Sequence, residues 1–225
     1  MNNARLANDI YSDALKTRVA SESCNPTVLT DIYAEQNNIV IWRRELPQHF
    51  LSSIKELLQH NPKLSITKTI EAHSANKAIS AILQDVASSE QLSANIAELV
   101  DMFCCLFDLQ RVGLRLTVLD QAMCPRFHVD KVPCRLVTTF SGTGTQWLSQ
   151  QRVNRDKLGR GSQGLTDEQS GLYTDASYIN TLNCGDVALL KGELWEGNEN
   201  AGLVHRSPPT LQTEKRLLLT LDFVS

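Results

Sequence analysis

The apolar positions of this chain change period near residue 111, and that change divides it into two regions. Before it the pattern is mixed. Ile39-Val40-Ile41-Trp42 is a short continuous run of β-forming residues and predicts a buried strand. Phe50, Leu51, Ile54, Leu57 and Leu58 then recur at helical spacing behind Pro47, which suits a first helical turn, and Asn61-Pro62 ends that helix. Leu64, Ile66 and Ile70 share a parity that predicts another strand. From about Ser74 to Gln110 the spacing is helical again. Its clearest stretch carries Leu92, Ile96, Leu99, Val100, Phe103 and Phe107, preceded by Ser88 and Ser89 as capping residues.

Beyond residue 111 the period becomes two. Val112, Leu114, Leu116 and Val118 alternate with Gly113, Arg115, Thr117 and Leu119. Strands are expected at about 112 to 119, 127 to 130, 135 to 140, 145 to 148, 187 to 190, 203 to 206 and 216 to 223, joined by turns bearing glycine or proline. Many short strands with turn signals predict a sandwich or barrel rather than a doubly wound sheet. Gln151 to Thr181 is polar, holds four glycines and is too long for an ordinary turn, so it reads as a functional loop or lid. The expected organisation is a weakly structured leader over 1 to 37 and one domain over 38 to 225. Within that domain a helical support region (38 to 111) precedes a β-rich core (112 to 225).

Composition narrows the classes. A chain of 225 residues can bury a sizeable core. Its 22 basic and 25 acidic residues nearly balance, without a basic patch, so no nucleic-acid surface is expected. No apolar run approaches the roughly 20 residues that span a bilayer, and the polar N-terminus has no signal core, so a cytoplasmic protein off the membrane is expected. Six cysteines without a Cys-x-x-Cys pair read as free thiols or metal ligands. Cys104 and Cys105 sit among apolar neighbours, and Cys184 flanks a turn. His49, His60 and His73 fall in or beside the N-terminal helices and read as solvated.

The candidate chemistry lies at Cys124-Pro125-Arg126-Phe127-His128-Val129-Asp130. In an extended segment residues i and i+2 share a face, so the His128 imidazole and Asp130 carboxylate can close on one metal ion. His205, from a distant strand, would complete a set of two histidines and one carboxylate that leaves three positions open on a non-haem Fe(II). Arg216 heads the last strand and by parity faces with Leu218 and Thr220, away from Leu217, Leu219 and Leu221. An inward guanidinium there could grip a small dicarboxylic cosubstrate with its planar fork. Trp147 and Trp195 are candidate pocket walls, with core packing the favoured reading of both. Structural roles are the competing reading: His205 capping a strand, Asp130 pairing with Lys131 or Arg126, Arg216 satisfying carbonyls at a sheet edge.

His128-x-Asp130, Gly185-Asp186 leading to His205, and then Arg216 resemble the motif order of the Fe(II)/2-oxoglutarate-dependent dioxygenases over about residues 112 to 223. That resemblance implies an α+β fold with a double-stranded β-helix core, also called a jelly roll or cupin-like core, and N-terminal helices packed on one sheet. It implies His128, Asp130 and His205 as metal ligands, Arg216 as the anchor of 2-oxoglutarate, and oxidation of a small-molecule or protein substrate that it does not name. Leu218 stands where many members of that superfamily carry a hydroxyl residue. More closely, the stretches from Cys124 to Cys134, from Gly185 to Trp195 and from His205 to Pro208 are similar to an uncharacterised bacterial family, the domain of unknown function 1826. This second resemblance implies a link to metal homeostasis, with a metallochaperone-type GTPase as partner.

Two further functions stay open on the sequence. Cys124 and Cys134 bracket His128 and Asp130, and thiolates favour zinc, so a closed four-coordinate Zn(II) site in a non-catalytic metal-handling protein is the alternative to Fe(II). The fold could also serve as an interaction module without a metal.

Overall fold

The computed structural model describes residues 17 to 209 and 214 to 224. Its frame is a seven-stranded sheet with helices on one face and a three-stranded sheet on the other. The large sheet contains β1 (Val19–Ser23), β2 (Asn37–Trp42), β3 (Ser65–Glu71), β4 (Arg111–Leu119), β5 (Cys134–Ser141), β8 (Val187–Lys191) and β10 (Arg216–Phe223). They lie in the order β1-β2-β8-β5-β10-β4-β3, antiparallel except for the β1–β2 pair. The small sheet is β7 (Ile179–Thr181), β6 (Gln146–Leu148) and β9 (Val204–Arg206), in that order.

Alternation along the strands decides the two faces. Leu217, Leu219 and Leu221 of β10 join Leu114 and Leu116 of β4 and Leu136 of β5 in the larger apolar cluster. Against them pack α1 (Gln48–His60), α2 (Ala75–Leu83) and α3 (Glu90–Phe107) through Ile54, Ile79, Ile96 and Phe103. The other parity sends Leu218, Val137, Ala188, Leu190, Ile39 and Ile41 toward the small sheet, where they meet Trp147, Leu182 and Leu203. The sequence parity assigned to Arg216, Leu218 and Thr220 is therefore the observed one, and all three line a cavity between the sheets.

Several expectations move. Residues 19 to 33 belong to the structure: β1 pairs in parallel with β2, and Leu29 and Ile32 are buried on the helix side. Residues 1 to 16 of the expected leader lie outside the described residues. β1 is an edge strand whose side chains are largely exposed, so it carries no alternation for a pattern to register. The large sheet also takes β1, β2 and β3 from before residue 111, so the β-rich core crosses the expected internal boundary. Ser89 stands at the N-cap of α3, but its hydroxyl donates to the Leu83 carbonyl (2.8 Å) and ties α3 to the end of α2. The strand expected at 127 to 130 reduces to one bridge, His128 with His205. Pro125 and Pro133 flank it, and neither can donate to a ladder.

Candidate functional site

His128 and His205 are directly opposed, each backbone N–H donating to the other's carbonyl at 3.0 Å. This pairing sets their rings side by side with centroids 4.6 Å apart. Asp130, two residues from His128, turns its carboxylate toward both. Oδ1 lies 3.6 Å from His128 Nε2 and Oδ2 lies 3.3 Å from His205 Nε2. One donor atom from each of the three residues falls within 4.8 Å of the others, a grouping that could hold a metal ion.

The surroundings aim these groups. His128 Nδ1 lies 2.9 Å from the Arg126 carbonyl and His205 Nδ1 lies 3.1 Å from the Leu203 carbonyl. A carbonyl can only accept, so Nδ1 is the donor in both rings and both Nε2 atoms face Asp130, where a metal ion would sit. Arg135 donates to Asp130 Oδ2 at 2.6 Å while its Nε and second terminal nitrogen grip Asp222 at 2.7 and 3.1 Å. Burial works against the Asp130 charge, but hydrogen bonds from His128 and His205 and the nearby Arg135 outweigh it, holding the carboxyl well below the usual range. The hydrogen bond to Asp130 raises His128. Glycine at 192 lets the following loop press on this segment, since a Cβ there would stand 2.1 Å from the Val132 carbonyl oxygen and 2.8 Å from that of Asp130.

Arg216 lines the same cavity from β10 and is 1% exposed. Its partners are hydroxyls: Thr145 at 2.8 Å, Thr139 at 3.2 Å and Ser207 at 3.4 Å. Among the described residues no carboxylate pairs with it, and its Nε has no partner at all. Burial alone lowers the guanidinium to about 10. Buried arginines are normally paired, because an isolated charge loses its hydration without compensation. A register shift between Leu217 and Leu218 against β5, followed by Gly142 at φ +83°, shapes the backbone beside Arg216 and brings Thr139 to its guanidinium. The hydroxyls at Arg216 thus come from Thr139 on β5, from Thr145 and from Ser207.

Not every candidate converges here. Cys134 is fully buried on the helix-side face with Leu136 and Phe140, its thiol pushed up by burial, so the four-coordinate zinc arrangement through Cys134 is not formed. Cys124 is exposed and lines the cavity, but it stands outside the His128–Asp130–His205 grouping. Trp147 is core between the sheets, and Trp195 packs on the helix side near Tyr33 and Phe107, so both take the packing role favoured for them and neither is a cavity wall. The 151 to 181 segment is tied down by Asp167, which accepts the Phe127 N–H at 2.9 Å and faces Arg206 at 3.3 Å and Arg126 at 3.5 Å. Asp167, Arg135, Thr139 and Thr145 carried no motif signal, because their roles arise from segments brought together by the fold, whereas Ser207 lies within the His205 to Pro208 stretch. Among the described residues no helix is long and apolar enough to cross a membrane.

A family model described as a protein of unknown function (DUF1826) matches residues 23–222. The chain belongs to that family. No curated protein matches it. Similar solved structures include the dioxygenase for auxin oxidation 1 from Arabidopsis thaliana in its 2-oxoglutarate binary complex (8% identity, 92% of this chain and 93% of that one, TM-score 0.48). A Pseudomonas putida prolyl-4-hydroxylase (9% identity, 88% and 98%, TM-score 0.43) and a 2OG-Fe(II) oxygenase family oxidoreductase from Burkholderia pseudomallei (12%, 91% and 94%, TM-score 0.38) are also similar.

Proposed function

We propose that this DUF1826 protein is a non-haem Fe(II)- and 2-oxoglutarate-dependent oxygenase built on a double-stranded β-helix core. The observation that carries the reading is the Arg216 guanidinium, buried with no counter-ion among the described residues in a cavity that His128 and His205 of the His128–Asp130–His205 grouping also line. A buried cation short of an anion, facing a donor set of two imidazoles and one carboxylate, suits a dicarboxylate that bridges them. In this assignment His128 Nε2, Asp130 and His205 Nε2 hold the metal, and Arg216 takes the distal carboxylate with help from the Thr145 hydroxyl. Bound there, Fe(II) would supply oxygen activation coupled to oxidative decarboxylation of the 2-oxo acid.

The chain's own work is positional. The Arg126 and Leu203 carbonyls orient the imidazoles, and Arg135, braced on Asp222, holds Asp130 Oδ2 beside His205 and leaves Oδ1 toward His128. Leu190, Val137 and Leu218 give the cavity apolar walls that exclude water. The test is anaerobic addition of Fe(II) and 2-oxoglutarate to purified protein, followed by visible absorbance. A weak charge-transfer band is expected, absent in His128→Ala and weakened in Arg216→Ala. No band, together with no calorimetric binding of 2-oxoglutarate, would remove the oxygenase reading.

A further inference from the structure

Four arginines, Arg115, Arg135, Arg206 and Arg216, line the cavity, and they differ in how their charge is met. Arg135 is paired with Asp130 and Asp222, and Arg206 with Asp167. Arg216 faces hydroxyls and is the cation assigned above to 2-oxoglutarate. Arg115 remains. Its contact is with the Met123 thioether, at 4.0 Å, and among the described residues no carboxylate pairs with it. On the oxygenase reading the divalent cation and Arg216 balance Asp130 and the cosubstrate dianion, and Arg115, an exposed side chain at the cavity rim, is left without a carboxylate partner among the described residues.

A second observation points the same way. Thr117 follows Arg115 by two residues and so shares its face of β4; it lines the cavity, and its hydroxyl is buried with no partner among the described residues. The cross-strand partners of Arg115 and Thr117 on β3 are Thr67 and Ser65, both exposed. The apolar seam between the sheets draws on β2, β5, β8 and β10, with Leu119 at the far end of β4, so it leaves this corner of the large sheet uncovered. The result is a small platform with one guanidinium and several hydroxyls, on the cavity that His128 and His205 also line.

We propose that Arg115 and Thr117 form the subsite for an anionic group, a carboxylate or a phosphate, on the molecule this protein oxidises, and that its substrate class is therefore small organic acids or phosphate esters. This rests on the oxygenase reading for its chemistry, though the anion subsite is built by residues outside the metal and cosubstrate set. Arg115 supplies the charge and planar fork, Thr117 a hydroxyl that the fold leaves unused, and Met123 closes over the guanidinium from the loop after β4.

The protein loaded with Mn(II), a redox-silent stand-in for Fe(II), and saturated with 2-oxoglutarate is titrated calorimetrically with inorganic phosphate and separately with acetate. Wild type should bind at least one anion saturably, and the tighter of the two identifies the group. Arg115→Gln should weaken that binding by about tenfold or more, Arg115→Lys should retain part of it, and neither should change the affinity for 2-oxoglutarate. Absence of saturable binding of either anion, or equal binding in Arg115→Gln, overturns the subsite. If 2-oxoglutarate itself fails to bind, the oxygenase reading fails separately. The same titration in an Arg216→Met background, where Arg115 is the remaining unmatched arginine of the cavity, then decides the subsite alone.

Discussion

Replacing Arg216 by methionine separates a functional guanidinium from a structural one. The side chain is 1% exposed, and burial lowers its pKa from 12.5 to about 10. At about 1.4 kcal/mol per pKa unit, keeping it charged costs the cosubstrate-free protein roughly 3 kcal/mol. Methionine removes that cost and fills similar volume, but it also removes the hydrogen bonds to Thr145, Thr139 and Ser207, of which the 2.8 Å bond to Thr145 is the strong one. Hydroxyls left without a partner cost about 1 to 3 kcal/mol together. The two effects nearly cancel, so urea unfolding of Arg216→Met without cosubstrate should give a stability within about 2 kcal/mol of wild type, in either direction. Cosubstrate binding should respond very differently. Removing one partner of a buried charge pair costs about 2 to 5 kcal/mol, so calorimetric affinity for 2-oxoglutarate should fall by roughly 30-fold or more. A variant destabilised by well over 4 kcal/mol with unchanged 2-oxoglutarate affinity would refute the reasoning and make Arg216 a structural residue.

Other residues give independent tests. In protein purified without a metal-affinity tag, Cys134→Ser and Cys124→Ser should leave metal content unchanged while His205→Ala abolishes it; a sharp loss in either cysteine variant would restore thiolate ligation. Asp167→Ala leaves the Phe127 N–H and Arg206 without their acceptor, so it should cost about 3 kcal/mol in chemical unfolding and weaken metal binding through the displaced His128 strand; unchanged metal affinity would uncouple the 151 to 181 segment from the site. Lys191 is fully buried, with its ammonium 4.6 Å from the Trp195 ring centroid and 3.1 Å from the Ala34 carbonyl oxygen, and burial together with Arg18 lowers it from 10.5 to about 8. Between those values the unfolded chain holds the proton and the folded one does not, so stability should rise with pH from about 8 to about 10.5, and that rise should shrink in Lys191→Met; identical pH profiles would show that Lys191 does not titrate there.

Much of the frame was legible because alternation is a strong signal wherever a strand has one apolar face. β4 and β10 fall where the period of two places them, and the parity that turned Arg216 away from Leu217 and Leu219 is the observed one. α3 followed from Leu92, Ile96, Leu99, Val100 and Phe103, all buried. The edge strand β1 escaped notice for the opposite reason: it buries little and has no pattern. At the site, His128, Asp130 and His205 were legible because two of them sit at strand spacing, and the structure brings all three together. Cys134 misled because nearness in sequence to His128 says nothing of its face. One residue from Arg135, it points into the helix-side core while Arg135 reaches Asp130. Arg135, Asp222 and Asp167 had no local signature, since each acts across a sequence separation that topology closes.

The central claim is that one cavity joins a metal held by His128, Asp130 and His205 to a dicarboxylate held by Arg216. A crystal structure of the protein with Mn(II) and 2-oxoglutarate tests it most directly. The account predicts the metal on His128 Nε2, Asp130 and His205 Nε2, with the distal carboxylate of 2-oxoglutarate on the Arg216 guanidinium and the Thr145 hydroxyl. A metal bound through Cys124, or a cavity in which Arg216 keeps its hydroxyl partners and takes no carboxylate at saturating 2-oxoglutarate, would contradict it.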